Sequence, residues 1–210
     1  MLAKRFNNGL PPYLIPMARK TCSIYIFRHA QTYYNKHKIF TGWKDSQLTP
    51  FGLKQAKIVA RKLKGKRIDV AYHTRLSRSK DTLAEVLRYH PECALIVEDN
   101  RMIERSYGDL AGKSHRVFIR EHGQKLYDIY HRSYNVPPPN GESVRMVEAR
   151  VRSFIKDLLK FIRADKVNVA ISAHGNSMRP FRRYFEKLTE KQMMELENPW
   201  DDYFEYRVQL

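Results

Sequence analysis

Short apolar runs alternate along this chain with longer stretches whose apolar residues recur at helical spacing. Ile24-Tyr25-Ile26-Phe27 is continuous and apolar, the pattern of a strand buried on both faces. Leu53, Ala56, Ile58, Val59, Ala60 and Leu63 then give the inner face of a helix, with Thr49 as N-cap and Pro50 at its first position. Lys54, Lys57, Arg61, Lys62 and Lys64 fill its solvated side. Ile68 to Tyr72 predicts a second strand, Leu83, Val86 and Leu87 a helix that stops before Pro91, and Ala94 to Val97 a third strand. Val117 to Tyr130 reads as one helix, and Pro137-Pro138-Pro139-Asn140-Gly141 forces an extended turn. A long helix over Glu142 to Ile162, a central strand over Val167 to Ala173 and helices around Ser177 to Leu188 and Glu190 to Leu196 follow. Tyr203 to Val208 can add an edge strand.

Strand, loop and helix in repeated succession imply right-handed βαβ crossovers and a mostly parallel sheet, hence an α/β fold. In such a sheet the carboxyl ends of the strands lie together, and ligands bind there. Three of these strands end in polar chemistry. Arg28-His29-Ala30-Gln31-Thr32 follows the first, His73-Thr74-Arg75-Leu76-Ser77-Arg78 the second, and His174-Gly175-Asn176-Ser177 the strand at Val167 to Ala173. Two histidines and two arginines can therefore share one pocket. A neutral imidazole is a nucleophile toward phosphorus, and a guanidinium offers a planar fork of donors to phosphate oxygens. Glu104, after the third strand, can bring the carboxylate that a proton transfer needs.

The 210 residues fit one domain with a substantial core, and 42% hydrophobic content excludes a disordered chain. The formal charge of +17 favours anionic partners without choosing among phosphorylated metabolites, nucleic acid and anionic membranes. Cys22 and Cys93 have no metal-ligand spacing and read as reduced thiols of a cytoplasmic protein. No apolar run reaches the roughly 20 residues of a membrane-spanning helix. Residues 1–20 are basic, interrupted by Pro11, Pro12 and Pro16, and read as a flexible extension, with Met17 as an alternative start. Residues 21–210 read as the single catalytic domain.

The Arg28-His29-Ala30-Gln31-Thr32 run resembles the signature of the histidine phosphatase superfamily, from about Ser23 to Val208. Asn35, Phe40-Thr41-Gly42-Trp43, Glu104-Arg105-Ser106-Tyr107-Gly108, Val136-Pro137-Pro138-Pro139 and Ala173-His174-Gly175-Asn176-Ser177-Met178-Arg179 resemble its cofactor-dependent phosphoglycerate mutases. The resemblance implies a three-layer α/β/α sandwich and interconversion of 3-phosphoglycerate and 2-phosphoglycerate, a step of glycolysis and gluconeogenesis. It implies 2,3-bisphosphoglycerate as phosphoryl primer, no metal, and a homodimer or homotetramer without deciding which. By the same resemblance His29 is the phosphorylated nucleophile, His174 stabilises the transferring group, Arg28, Arg78 and Asn35 bind it, and Glu104 moves the substrate proton. Thr41, Gly42, Arg105, Ser106, Tyr107, Arg132, Gly175 and Asn176 match substrate-holding positions.

Ala30 replaces a usual Gly, His115 a usual phosphate-binding Lys, and His131 the first of an Arg-Arg pair completed by Arg132. If both histidines hold substrate, affinity is expected to weaken as they lose protons above about pH 6.5. The direct passage from triple proline to Gly141-Glu142-Ser143 is shorter than in many mutases, which is expected to open the pocket or alter subunit contacts. The alternative activity is a histidine-type phosphomonoesterase acting on small phosphorylated metabolites. A basic RNA- or lipid-binding protein with a vestigial site is the third reading, encouraged by the charge and by Tyr127 to Tyr134. Nucleic acid and membrane partners are not expected, because the lysines are spread over many helix faces and no nucleic-acid motif is present.

Overall fold

A computed structural model describes residues 20–210, so the basic extension and Met17 lie outside the described residues apart from Lys20. Five strands form one sheet in the order β3-β2-β4-β1-β5: β1 (Thr21–Arg28), β2 (Val70–His73), β3 (Leu95–Glu98), β4 (Val169–Ala173) and β5 (Tyr203–Gln209). β3, β2, β4 and β1 are mutually parallel, and β5 runs antiparallel on the edge of β1. The expected α/β sandwich is thus formed.

Alternation along β1 feeds two cores. Ile24 and Ile26 pack with Val147, Val151, Phe154 and Phe181 on one face of the sheet. Tyr25 and Phe27 pack with Val59, Leu63, Leu83 and Val86 on the other. The first face is covered by α6 (Val144–Asp165) and α7 (Gly175–Glu186), the second by α2 (Pro50–Leu63) and α3 (Ser77–Leu87). Burial on both sides explains why Ile24 to Phe27 of β1 and all of β4 but Ser172 are apolar on both faces. Thr49 caps α2 as expected, accepting from the Gly52 amide at 2.9 Å, with Pro50 at N1. Gly52 is required there, because a Cβ would lie 2.1 Å from the Gln31 carbonyl oxygen of the loop after β1.

Several element boundaries differ from the sequence pattern. Tyr33–Lys36 forms a short helix, α1, closed by reciprocal hydrogen bonds between Thr32 and Asn35. The single helix expected over Val117 to Tyr130 is two, α4 (His115–His122) and α5 (Gln124–Arg132), because Gly123 sits at φ +83°, outside helical geometry. β2 starts at Val70, and Ile68 enters the core without joining the ladder. α8 (Glu190–Glu195) follows a left-handed turn at Lys187. No helix among the described residues is long and apolar enough to cross a membrane.

Candidate active site

The register Arg28↔Ala173 in the parallel pair β1/β4 makes His29 and His174 the next residues out of two adjacent strands. Their rings lie 4.9 Å apart between centroids, and both side chains are buried. The His29 Nδ1 is 2.8 Å from the Ala30 carbonyl oxygen. A carbonyl only accepts, so Nδ1 carries the proton and Nε2 presents its lone pair. Ala30 is held in turn by Thr82, whose hydroxyl accepts from its amide at 3.0 Å. On the other ring, Thr74 Oγ1 lies 2.8 Å from Nε2 of His174.

Burial, followed by the positive fields of Arg78 and Arg28, holds the His29 pKa well below its ordinary value. Burial and Arg78 do the same to His174. Both imidazoles are therefore neutral, as nucleophilic attack requires. Arg78 is fully buried and fastened by two carbonyls, Gly42 at 2.8 Å and Lys44 at 3.0 Å. Burial lowers its pKa to about 10, against the opposing pull of Glu104 and Asp45, which leaves it a cation at neutral pH. Gly42 reaches this geometry at φ +53°, and a Cβ there would lie 2.9 Å from the Tyr107 amide nitrogen.

Glu104 completes the inner end. Its Oε1 accepts from the amides of Arg105 at 2.8 Å and Asn176 at 3.2 Å, the second at the positive end of α7. Its own carbonyl accepts from Trp43 Nε1 at 2.7 Å and from Arg150 at 3.1 Å, and Arg150 is ion-paired to Glu142. Ligand atoms of His29, Glu104 and His174 lie within 4.8 Å of one another, a spacing that could close on a metal ion. The two guanidiniums beside them make the local field one that attracts anions instead.

A cavity of about 380 Å³ opens from this centre. Arg28, His29, Asn35, Thr41, Gly42, Arg78, Glu104, Tyr107, His115, His131, Arg132, Gly175 and Asn176 all line it. His174 is not among the lining residues and packs against the His29 ring. Asn35 spends its oxygen on Thr32, so the NH2 is the side that remains for a phosphoryl oxygen. Arg105 and Ser106 do not line the cavity. Arg105 is fully buried against the Tyr107 ring at 4.5 Å and donates to the Tyr130 carbonyl at 2.7 Å. Ser106 is tied to Glu142 through both its amide and its carbonyl. The short turn after the prolines contributes no lining residue.

His115 and His131 form an aromatic wall. His115 packs on Phe40 at 4.2 Å and lies 3.1 Å from the Tyr127 hydroxyl; His131 stacks on Tyr127 at 4.9 Å. Burial, with Lys38 beside it, lowers the His115 pKa to about 4. His131 falls to about 3 through burial, His115 and the surrounding arginines. The expectation that they lose charge near pH 6.5 is therefore corrected, since both are already neutral there. Sequence reasoning gave no role to Thr74, Lys38, Arg179, Asn198 or Trp200. Arg179 stood in the motif around His174, whereas Leu196 to Trp200 reach the cavity only through the return of the chain into β5.

Residues 24–202 match the family model described as histidine phosphatase superfamily (branch 1). The chain belongs to that superfamily. It is 36% identical over 176 residues to a 2,3-bisphosphoglycerate-dependent phosphoglycerate mutase of Parvibaculum lavamentivorans, covering 81% of this chain and 83% of the relative. Among solved structures, a mycobacterial glucosyl-3-phosphoglycerate phosphatase superposes with a TM-score of 0.76 at 21% identity, covering 89% of this chain and 90% of the other. Phosphoglycerate mutase from Bacillus anthracis str. Sterne does so with 0.74 at 18%, covering 90% and 89%. The superfamily's fold is therefore shared with proteins of both names, and the protein is an enzyme of this superfamily.

Proposed function

We propose that the enzyme interconverts 3-phosphoglycerate and 2-phosphoglycerate through a phosphohistidine at His29. The observation that carries this reading is that one cavity holds two sets of cations. Arg28 and Arg78 flank the histidine pair, while Lys38, Arg132 and Arg179 line the same space from other elements. A simple monoester needs one set; a substrate with a carboxylate, and a primer with a second phosphate, use both. The mutase name of the 36%-identical relative supports the same reading.

In this mechanism Nε2 of His29 attacks phosphorus, forming an N–P bond as the P–O bond to the substrate breaks. Glu104 gives its proton to the departing oxygen and, in reverse, takes one from the hydroxyl that receives the phosphoryl group. Arg28, Arg78 and the Asn35 amide bind the three phosphoryl oxygens while negative charge spreads over them. His174, held by Thr74, packs against the His29 ring as a neutral imidazole and keeps the nucleophile in place. 2,3-Bisphosphoglycerate, when bound, supplies the first phosphoryl group to His29. The outer cations and the Thr41–Gly42 segment keep the intermediate's partner in place long enough to be rephosphorylated.

A second reading, phosphomonoester hydrolysis, is favoured by one feature: the neutral His115 and His131 weaken the hold on a second anionic group. Product analysis separates the two. With 3-phosphoglycerate and catalytic 2,3-bisphosphoglycerate, the mutase reading expects primer-dependent 2-phosphoglycerate that disappears in His29→Ala. Dominant free phosphate and glycerate would replace it with the hydrolytic reading.

A further inference from the structure

The two arginines beside His29 are held in different ways. Arg78 is fixed by the two carbonyls described above. Arg28 has one long hydrogen bond, from Nη1 to the Asn198 carbonyl at 3.3 Å, and its Nε is buried without a hydrogen-bond partner. Among the described residues no carboxylate forms an ion pair with it at 4.0 Å or less. A guanidinium so weakly tethered would swing, and a phosphoryl site depends on donors fixed before the ligand arrives.

What fixes its plane is stacking. The Arg28 Cζ lies 4.6 Å from the centroid of the Trp200 ring. Gly175 also approaches the guanidinium, and a Cβ added there would stand 3.4 Å from Cζ and 3.5 Å from Nε and Nη2. Trp200 in turn belongs to a strap, Leu196 to Trp200, fastened to α7. Asn198 donates to the Gly175 carbonyl at 3.0 Å, Arg182 donates to the Glu197 carbonyl at 2.9 Å and to Asn198 Oδ1 at 3.1 Å, and Arg179 donates to the Leu196 carbonyl at 3.2 Å. The strap lines the cavity with Leu196, Glu197, Asn198 and Trp200.

We infer that Trp200 is the positioning residue of Arg28, holding the guanidinium ready for a phosphoryl group through a cation–π stack carried on the Leu196–Trp200 strap. This rests on the reading of Arg28 as a phosphoryl ligand. An indole gives the strongest face for a cation, a phenyl ring retains part of it, and an aliphatic side chain of similar bulk has none. Trp200 thus acts on the reaction through Arg28.

The test is calorimetric binding of inorganic phosphate, which needs no turnover and no choice between mutase and phosphatase. Trp200→Leu keeps apolar bulk and removes the π face, so affinity is expected to fall roughly three- to twentyfold. Trp200→Phe is expected to recover most of that loss. Combined with Arg28→Gln, Trp200→Leu is expected to add nothing, because the cation it positions is gone. Phosphate affinity unchanged in Trp200→Leu, or losses that simply add in the double variant, would overturn the inference alone. Wild-type protein without affinity for phosphate would overturn the phosphoryl-site reading together with it.

Discussion

The imidazole of His174 is tied to Thr74, with Oγ1 2.8 Å from Nε2, across a sequence separation of 100 residues. Thr74 is fully buried and lies just beyond β2, the strand that pairs with β4 on the side away from β1. The hydroxyl thereby fixes the rotation of a ring that has no hydrogen-bond partner at Nδ1.

Replacing Thr74 by Val keeps the shape and removes that bond. Loss of a buried hydrogen bond costs about 1–3 kcal/mol, so turnover is expected to fall roughly ten- to a hundredfold, with KM changed much less. Thr74→Ser restores the hydroxyl and should restore turnover. Steady-state kinetics on the two variants would show the role to be only structural if both lost stability and neither changed kcat.

Acid should destabilise the fold before the carboxylates titrate. His29, His115, His131 and His174 all have folded-state pKa values below the unfolded value near 6.5. The unfolded chain therefore binds more protons as pH falls below 6.5, and the native state does not follow until about pH 4 for His115 and about 3 for His131. Stability is fully present above 6.5 and is lost downward through that window, with a slope of about 1.4 kcal/mol per pH unit for each proton. Urea unfolding at pH 7, 6 and 5 is expected to show a steep loss, made shallower in His131→Asn. A flat profile would contradict the buried, neutral imidazoles.

The same neutrality governs substrate affinity. Between pH 6 and 8 neither His115 nor His131 changes charge, so His115→Gln is expected to leave the shape of the KM profile unaltered. His115→Lys introduces a permanent cation into the wall and should tighten binding of substrates carrying a second anionic group, roughly severalfold by analogy with other charge pairs at partly exposed sites. Competition by 2,3-bisphosphoglycerate against a simple monoester would measure the gain.

Gly108 is expected to tolerate no side chain. It adopts φ +51°, and a Cβ there would stand 2.0 Å from the Pro139 carbonyl oxygen, so the loop after Glu104 and the triple-proline turn meet over bare backbone. Gly108→Ala must both strain φ and part these segments, at a cost of more than about 1 kcal/mol. Chemical denaturation of the variant, beside activity measured below its midpoint, would separate lost stability from displaced Glu104.

What the sequence determined by itself was periodic or contiguous. Apolar runs and helical spacing marked the strands and the large helices, since burial of whole faces leaves a repeating trace. Arg28-His29 and His174-Gly175-Asn176 declared the inner site because strand ends in a parallel sheet gather on one side. The split at Gly123 escaped, because a helix periodicity continues on both sides of one glycine at positive φ. Only the tertiary structure decided how each group is held: the Ala30 carbonyl that sets the His29 tautomer, Thr74 on His174, and Trp200 on Arg28. It also decided the charge of His115 and His131, which in sequence stand for cations and in the folded protein are neutral. Protonation and orientation depend on burial and on neighbours distant in the chain, and neither leaves a local pattern to read.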